Sequence, residues 1–518
     1  MYLNEKYRMY QFAYHLVANE SFDVIQLNDD IEEIWLEKYE KNKSTVVRFI
    51  HKGFDWKNYL KKDIAQVFQK AKSMKRLLAG KHVEVHNVYI SSHTPVDDWE
   101  VLRKPMQLTE RNPIKMKVYY LADHNFTEEK TRFFTAIRLS SHEMEHRTEL
   151  SETDKEERIQ YYRRFLADKL YNKRKEMEDI FSFGKPFLTY FILVINLIVF
   201  FMLERSGSST SIENLIDFGA KYNPAIIENG EWWRIISSMF LHIGFLHLFM
   251  NMLAVYYLGT LVERIYGSWR FLSIYFLAGI GGGLASFAFT TSVSAGASGA
   301  LFGLFGAILF FGLMNKKIFF QTLGSGVLLL IGINIIFGFA IPQIDMGAHL
   351  GGLIAGFLAS AIFHLPRNKN FRIQFSAFIV YLTMIYGLTT FGIQNNLNTQ
   401  SYQLMQLEEL IMQDQYEQVV EIATDALEVD GDLDSSILFQ RSYAYIEMNQ
   451  TDKAIRDLEK SIEFDDAFPE AFYNLAMLYY DKGETDKAIE AIENAYQMKP
   501  DDEAFINLYE EITGEDTG

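Results

Sequence analysis

Two reactive side chains lie within apolar, membrane-length segments of the chain. Ser298 stands between Gly296 and Gly299, and about fifty residues later His349 lies near the start of another apolar run, with Asp345 as the only charge close by. Polar groups are costly in hydrocarbon and usually face a cavity or a functional site. Ser298 is therefore a candidate nucleophile and His349 a candidate base.

A third polar group occurs in the preceding apolar segment, where His242, His247 and Asn251 are spaced by five and then four residues. On a helix, residues four apart share a face, so His247 and Asn251 should point the same way. An asparagine amide and an imidazole N–H can stabilise the oxyanion that develops during acyl transfer. This group is a candidate oxyanion hole.

The elements that must position these residues are seven apolar runs, each close to the roughly 20 residues that cross a hydrocarbon layer of about 30 Å. They cover approximately 186–203, 236–262, 270–289, 297–314, 318–340, 346–364 and 372–393. The first 30 residues contain no apolar core of the signal-peptide type. The sequence therefore predicts a polytopic α-helical membrane core at 181–394, between a soluble head at 1–180 and a soluble tail at 395–518.

The charges between the runs alternate as the positive-inside rule requires. Basic residues cluster before the first run and after the second, fourth and sixth runs. These residues are Lys169, Lys173, Arg174, Lys175, Lys185, Arg264, Arg270, Lys316, Lys317, Arg367, Lys369 and Arg372. This pattern predicts a cytoplasmic head and, with an odd number of spans, an extracytoplasmic tail. Ser298 and His349 then begin helices that enter from the same outer face, at similar depth.

Each polar group alone also fits a structural role, because small residues support close helix packing and a lone serine or histidine can hydrogen-bond across helices. Three groups near one membrane face favour a reactive site instead. Gly299 and Gly303 on one helix, and Gly352 and Gly356 on the other, would let the two backbones approach.

The core is similar to the rhomboid intramembrane serine proteases, over about 210 residues and with five motifs in the family's order. The motifs are Gly296-x-Ser298-Gly299-x-x-x-Gly303, Ala348-His349-x-x-Gly352-x-x-x-Gly356, His242 with His247-x-x-x-Asn251, Trp233-Arg234, and Glu263-Arg264. The resemblance implies a rhomboid-like bundle and an endopeptidase that cuts transmembrane segments of other membrane proteins near their outer ends.

The resemblance also implies roles for single residues. Ser298 would be the nucleophile and His349 the general base and then acid, as a dyad without a third member. Asn251, His247 and the Ser298 backbone N–H would form the oxyanion hole, with no cofactor required. One position departs from the pattern of several family members, which carry a hydroxyl-bearing aromatic residue four positions after the serine. Here Phe302 can stack on the histidine but has no hydroxyl.

The tail contains an internal repeat. Thr451-Asp452-Lys453-Ala454-Ile455 recurs 34 residues later as Thr485-Asp486-Lys487-Ala488-Ile489, and a weaker copy covers Tyr416 to Leu427. A 34-residue period is typical of tetratricopeptide repeats, whose stacked helix pairs present a concave binding surface. The sequence predicts a helical solenoid of about three repeats, which either binds a protein partner or serves as a spacer.

The head reads as a soluble α/β domain. Thr45–Ile50, Val83–Ile90 and Met116–Leu121 are predicted strands, and Trp56–Leu78 is a predicted amphipathic helix. His82, Glu84 and His86 would share one face of a strand, with His93 nearby. They are weak candidates for a regulatory divalent-cation site, against the alternative of an ordinary polar strand face. His142-Glu143-Met144-Glu145-His146 matches a zinc signature formally, but its charged surroundings argue against catalysis there.

Composition excludes several functions. The formal net charge is −17, and residues 401–518 hold about 30 acidic and about 7 basic side chains, which argues against nucleic-acid binding. The chain has no cysteine, so it contains no disulfide, thiolate metal site or cysteine nucleophile. Two other functions fit the seven spans. A catalytically silent rhomboid-like scaffold would need none of Ser298, His349 and Asn251, and a transporter would carry more membrane charges or a repeat between its halves.

Overall fold

The computed structural model describes residues 2–41, 43–74, 78, 80, 82–107, 114–139, 150–366, 368–429, 431–464 and 468–514. Two compact units divide the chain, Met1–Gly184 with Phe311–Gly332, and Lys185–Phe310 with Ile333–Gly518. The first contains the head and the second contains the reactive segments and the tail. The predicted combination of a sheet-containing head, a helical membrane core and a helical repeat tail is confirmed.

The head is built on a six-stranded sheet with the strand order β1-β2-β3-β4-β6-β5. Its strands are β1 (Asp23–Asn28), β2 (Glu33–Glu40), β3 (Lys43–His51), β4 (His82–Ile90), β5 (Met106–Gln107) and β6 (Ile114–Leu121). β3, β4 and β6 are parallel neighbours, and the other pairs are antiparallel. The three predicted strands lie within β3, β4 and β6, whereas β1, β2 and β5 were not predicted.

Helices cover both faces of this sheet. They are α1 (Tyr2–Ala18), α2 (Lys57–Met74), α3 (Phe126–Ala136) and α4 (Glu152–Phe181), with a 3-10 turn at Glu100–Arg103. Successive strand residues alternate between two apolar cores: Ile34 and Leu36 face α1, α3 and α4, while Trp35 faces α2. Burial on both faces explains why the parallel strands read as nearly continuous apolar runs.

The membrane core is entirely helical. Its helices are α5 (Leu188–Ser206), α6 (Ile212–Asp217), α7 (Asn223–Ile227), α8 (Arg234–Ser237), α9 (Gly244–Ala254), α10 (Thr260–Tyr266), α11 (Ser268–Phe289), α12 (Ser298–Met314), α13 (Lys316–Thr322), α14 (Gly324–Ala340), α15 (Met346–Phe363) and α16 (Phe371–Leu397). A 3-10 turn at Ser238–Phe240 precedes α9, and a π-helical turn at Val255–Gly259 joins α9 to α10.

Five helical segments of the described chain are long and apolar enough to cross a membrane: α5, the continuous helix from α9 to α10 (Gly244–Tyr266), α11, α15 and α16. α13 with α14 would make a sixth if the pair forms one span. That pair is bent by 75°, and α12 is an apolar helix of 17 residues. Two predicted limits differ from the structure. The second span starts at Gly244 rather than 236, because Gly244 has a left-handed φ of +74°. The run 318–340 is broken near Leu323. The total of seven spans stays a prediction.

Helix α11 packs between α12, α15 and α16, and glycines set the spacing. A Cβ added at Gly352 would lie 2.0 Å from the Gly299 carbonyl oxygen, and one at Gly356 would lie 2.1 Å from the Gly303 carbonyl oxygen. A Cβ at Gly303 would lie 2.0 Å from the Cβ of Ala278 on α11. These backbones are close because no side chain separates them, as the glycine spacing predicted.

The tail forms a row of helices, and the predicted repeat is confirmed because α20 and α22 begin at its two copies. The helices are α17 (Gln400–Met412), α18 (Tyr416–Ala426), α19 (Asp434–Glu447), α20 (Thr451–Ser461), α21 (Pro469–Asp481), α22 (Thr485–Met498) and α23 (Glu503–Thr513). Two apolar clusters run through the row, as in a solenoid in which each repeat contacts its neighbours.

Polar contacts join the end of α16 and the start of the tail to the connection between α5 and α9. Asn396 donates to the Phe287 carbonyl (2.8 Å) and accepts from Asn223 on α7 (2.6 Å). The hydroxyl of Tyr402, whose ring is fully buried, donates to Glu228 (2.6 Å). The end of the last membrane helix and the 204–235 connection therefore lie on the same side of the core.

Candidate active site

Ser298 is the first residue of α12, and the loop before it is held by main-chain hydrogen bonds. Lys221 and Ser294 exchange backbone bonds of 2.9 and 3.1 Å, and the Gly296 N–H donates to the Ser238 carbonyl at 2.9 Å. A Cβ at Gly296 would lie 2.9 Å from His247 Cε1, and the residue has a φ of +148°. Glycine is required there because both the backbone conformation and the imidazole leave no room for a side chain.

His349 lies in the first turn of α15 and is buried. Its ring stacks on Phe302, with centroids 4.1 Å apart and planes 13° apart. Phe302 is one helical turn after Ser298 on α12, so the stack brings the first turns of α12 and α15 together, as predicted for this pair. His349 Nδ1 is buried and has no hydrogen-bond partner among the described residues. An imidazole fixed by packing keeps its ring nitrogens available for proton transfer.

The candidate oxyanion residues lie on α9 and just before it. Asn251 is buried, and its Nδ2 donates to the His247 carbonyl at 2.9 Å, which leaves the second amide hydrogen as a donor. The Ile243 N–H donates to His247 Nδ1 at 3.4 Å, so the neutral ring carries its proton on Nε2. That nitrogen is 3.1 Å from the Cβ position of Gly296, near the Ser298 loop. The His242 ring packs edge-on against His247, with centroids 5.4 Å apart.

Asp345 lies at the N-terminus of α15, and its side chain accepts more hydrogen bonds than the sequence indicated. Its Oδ1 accepts from the Ala348 N–H (2.8 Å), and its Oδ2 accepts from Ser294 Oγ (2.9 Å) and from Ser286 Oγ. Sequence reasoning noted the charge but missed both serines. A signal existed in their positions, since Ser286 and Ser294 flank the same short connection before Ser298.

Two further motifs have structural roles. Glu263 accepts hydrogen bonds from the backbone of Phe187, Leu188 and Thr189 and from the Thr189 hydroxyl, so it caps the N-terminus of α5. Arg234 donates to the carbonyls of Ile216 (2.6 Å) and Ala220 (3.2 Å), which fixes the 204–235 connection. Both motifs hold the core together at a distance from the reactive residues.

In the head, β4 does not assemble the three weak metal candidates into a site. Glu84 is ion-paired with Lys117 (2.7 Å) and Lys43, His86 is buried with Nδ1 3.1 Å from the Tyr119 hydroxyl, and His82 is exposed. Among the described residues no group of three or more His, Asp or Glu side chains is placed to hold a metal ion. Pairing with lysine has removed the carboxylate that a cation would need. His93 lies 3.2 Å from Asp55 instead.

The formal zinc signature from His142 to His146 lies outside the described residues.

Comparisons with known proteins agree with this geometry. A model of the rhomboid domain matches residues 229–366, which include Ser298, His349, His247 and Asn251. Two models of tetratricopeptide repeats match residues 443–483 and 469–502.

Rhomboid protease GluP of Bacillus subtilis (strain 168) is 34% identical over 483 residues, which are 93% of this chain and 93% of GluP. The chain belongs to the rhomboid protease family. The match extends through the head and the tail as well as the membrane core. A shorter match is RHOMBOID-like protein 5 of Arabidopsis thaliana, which is 42% identical over 153 residues, 28% of this chain and 48% of that protein.

A second plant relative, RHOMBOID-like protein 6, mitochondrial, of Arabidopsis thaliana, is 40% identical over 153 residues, 29% of this chain and 48% of its own length. Membership confirms the resemblance predicted from the motifs. The protein is a rhomboid serine protease and a multi-pass membrane protein, and its substrates are membrane proteins.

Proposed function

We propose that this rhomboid protease cleaves transmembrane segments of other membrane proteins with Ser298 and His349 as a catalytic dyad. The observation that carries the proposal is the stack of His349 on Phe302, which holds the imidazole beside the first turn of the Ser298 helix. A serine hydroxyl becomes a useful nucleophile only when a base lies within reach, and the close approach of the first turns of α12 and α15 supports that pairing.

In the proposed reaction, Ser298 Oγ attacks the carbonyl carbon of the scissile peptide while His349 accepts the hydroxyl proton. The carbonyl oxygen becomes an oxyanion that accepts hydrogen bonds from the Asn251 amide, His247 Nε2 and the Ser298 backbone N–H. The tetrahedral intermediate collapses, the C–N bond breaks, and the His349 imidazolium protonates the departing amine. Water then attacks the acyl-enzyme with His349 again as base, which releases the second product and restores Ser298.

A peptide bond inside a transmembrane helix is shielded by its own hydrogen bonds, so the substrate must unwind locally before Ser298 reaches it. Substrates with small or helix-weakening residues near the outer end of their span are therefore expected to be cut fastest. The scaffold alternative is disfavoured because a surface that only binds other proteins does not require a buried imidazole, an amide donor and a serine near one face of the membrane core.

The dyad is tested by cleavage of a single-span reporter in lipid vesicles, together with labelling by a serine-reactive fluorophosphonate. Ser298→Ala and His349→Ala should each abolish both signals, since the two residues act as one unit. Ser273→Ala and His364→Asn are matched controls, because Ser273 bonds the Trp269 carbonyl and His364 lies just after the end of α15. A chelator should change nothing, because the proposed reaction uses no metal.

Residual cleavage by Ser298→Ala above background would show that another residue is the nucleophile. A wild-type protein that binds single-span proteins but neither cuts them nor reacts with the phosphonate would establish the scaffold alternative.

We also propose a cytoplasmic head and an extracytoplasmic tail. Supporting this, Lys317 after α12 pairs with Asp23 of β1, which puts that basic connection on the side of the head. Since the chain has no cysteine, single cysteines placed at exposed Asp30 and Asp501 can be labelled selectively in intact cells. Only the tail position should react with a membrane-impermeant maleimide. Reaction at the head position alone would invert the proposed topology.

For the tail, we propose a peptide-binding role. A groove of about 470 Å³ is lined by aromatic Phe439, Tyr443, Tyr473 and Phe505 together with acidic Glu470 and Asp502, among others. Both carboxylates pair with Lys499, so the aromatic surface suits an extended segment with apolar side chains. Tyr473→Ala should weaken binding of such a peptide without changing cleavage of a reporter that lacks it. Equal binding by wild type and variant would place the partner elsewhere.

A further inference from the structure

The carboxylate of Asp345 joins three elements that surround the proposed dyad. It belongs to the start of α15, it accepts a hydroxyl hydrogen bond from Ser286 on α11, and it accepts another from Ser294 in the loop that leads to Ser298. Each of its oxygens is therefore occupied, one by a backbone N–H and the other by two side chains.

On the base side, Asp345 controls the backbone next to His349. The Ala348 N–H donates to the Asp345 side chain at 2.8 Å, and the His349 N–H donates to the Asp345 carbonyl at 3.2 Å. The backbone N–H groups of Ala348 and His349 therefore both donate to Asp345. Rotation or fraying of the first turn of α15 would have to break both bonds.

On the nucleophile side, Ser294 lies four residues before Ser298 and is held from two directions. Its hydroxyl binds Asp345, and its backbone exchanges both hydrogen bonds with Lys221. The ammonium of Lys221 is fully buried and donates to the Thr290 carbonyl in the same loop at 2.8 Å. Its charge acts on that of Asp345. Burial lowers the pKa of Lys221 to about 8, and the nearby carboxylate opposes that change.

We propose that Asp345 is a positioning residue that fixes the distance between His349 and Ser298 by tying α15 to α11 through Ser286 and to the Ser298 loop through Ser294. The inference rests on the proposed dyad. Asp345 touches neither the substrate nor the reacting atoms. It acts by holding the first turn of α15, which carries His349, and the loop that leads to Ser298.

A simple helix cap would not need this arrangement. Capping is satisfied by one oxygen and one N–H, whereas here the second oxygen reaches two serines on other elements. A half-buried carboxylate loses hydration that donors must replace, and this one has three donors, the Ala348 N–H and the hydroxyls of Ser286 and Ser294. Misplacement of a catalytic group by about 1 Å can lower turnover by about a hundredfold, so a small release of the loop should be visible in the rate.

The experiment compares Asp345→Ala, Asp345→Asn, Ser294→Ala and Ser286→Ala in the full chain in lipid. Three quantities are measured for each: kcat and KM on the reporter, the labelling rate by the fluorophosphonate per folded protein, and the thermal midpoint. Asp345→Ala should lower kcat and labelling at least tenfold with little change in KM. Asp345→Asn keeps the cap oxygen and can still bond the serines, so it should recover part of the rate.

The serine variants test the route of the effect. Ser294→Ala should lower the labelling rate severalfold, and adding it to Asp345→Ala should cost nothing further, because both changes remove the same bond. Asn370→Ala is the matched control. Asn370 caps α16 by accepting from the Ile373 N–H at 3.3 Å, so its loss should lower the thermal midpoint and leave labelling per folded protein unchanged.

The outcomes separate this inference from the function on which it rests. If wild type and Ser298→Ala label equally, the proposed dyad itself fails. If wild type labels at Ser298 and Asp345→Ala labels at the same rate per folded protein, the dyad stands and the positioning role is overturned. Should Asp345→Ala fail to fold, wild-type rates in both Asp345→Asn and Ser294→Ala would overturn it.

Discussion

Strand β4 of the head and the first turns of α12 and α15 carry similar residue types in very different states. On β4, Glu84 is neutralised by Lys117 and Lys43 from the two neighbouring strands. At the membrane site, His349 is held by a stacked ring, and its Nδ1 meets no hydrogen-bond partner in the described part of the chain. Ion pairs occupy the carboxylate of Glu84, whereas the stack on Phe302 holds the His349 ring without using its Nδ1. An unpaired buried nitrogen is not sufficient by itself, because Nε2 of His86 on β4 also has no partner among the described residues.

The largest expected effect comes from disturbing the packing that holds the membrane site. In Gly352→Ala the new methyl group would lie 2.0 Å from the Gly299 carbonyl oxygen, so α12 and α15 must separate. Overpacking of this kind costs about 1–3 kcal/mol, and a shift of about 1 Å between catalytic groups can cost about a hundredfold in rate. Reporter cleavage should fall at least a hundredfold.

Gly332→Ala is the matched control, since a Cβ at Gly332 on α14 has no atom within 4 Å. This substitution should leave cleavage unchanged and raise helix stability by up to about 1 kcal/mol. Equal activity of the two variants would mean that close approach of α12 and α15 does not matter for catalysis.

The next effect concerns the head and its dependence on pH. Burial lowers the pKa of His86 to about 4 from its ordinary 6.5. Below pH 6.5 the unfolded chain therefore binds a proton at His86 more readily than the folded chain does. The free energy of unfolding falls as the pH drops from 6.5 to 4. The loss amounts to on the order of 3 kcal/mol. His86→Gln should remove this part of the acid sensitivity in calorimetry of the full chain.

Glu84 acts in a lower pH window and serves as the internal reference. Burial alone would raise the pKa of Glu84, but hydrogen bonds from Lys117 and Lys43 lower it to about 2. Its contribution is complete above pH 4.5 and is lost as the pH falls toward 2. If His86→Gln kept the full decline between pH 6.5 and 4, another group would be responsible.

A smaller effect is expected from the ring that orients His349. Phe302→Ala removes the stack, and cleavage should fall about tenfold, equivalent to about 1.4 kcal/mol, if the imidazole then samples other orientations. Phe302→Tyr keeps the ring and should retain most of the rate. Loss of rate in Phe302→Tyr, measured at equal folded protein, would indicate steric crowding instead of a role in orientation.

The smallest effect is expected at the contact between the tail and the core. Tyr402→Phe removes a hydrogen bond to Glu228 and should lower stability by about 1 kcal/mol, with cleavage within twofold of wild type. Glu228→Gln retains an acceptor and should be milder. A large loss of cleavage in Tyr402→Phe would show that the tail contact sets the geometry of the site.

Much of the membrane site could be predicted from the sequence because polar residues and glycines are conspicuous in apolar runs. Ser298, His349 and the glycines that face them lie where their spacing placed them. The contact of Asp345 with Ser286 was missed, because it joins side chains 59 residues apart and only their positions beside the Ser298 loop indicated it. The bend near Leu323 was also hidden, because hydropathy stays high through a break in the helix.

In the head, the predicted strands were those with long apolar runs, and β2 was missed because charged residues flank its buried centre. The divalent-cation site on β4 stays a prediction. Alternation along a strand shows which residues share a face, but the lysines that occupy Glu84 come from β3 and β6, and strand pairing is not visible in local spacing. The domain boundaries at 180 and 394 stay predictions.

The hydrogen bonds of Asn396 also bear on biosynthesis. Ribosomes deliver the chain from its N-terminus, so Ser298 and His349 enter the membrane before α16 exists. Until that last helix arrives, the Phe287 carbonyl lacks the 2.8 Å bond from Asn396, and Asn223 lacks one of its acceptors. The polar contacts between α11 and the 204–235 connection are therefore complete only after the last membrane helix has been translated.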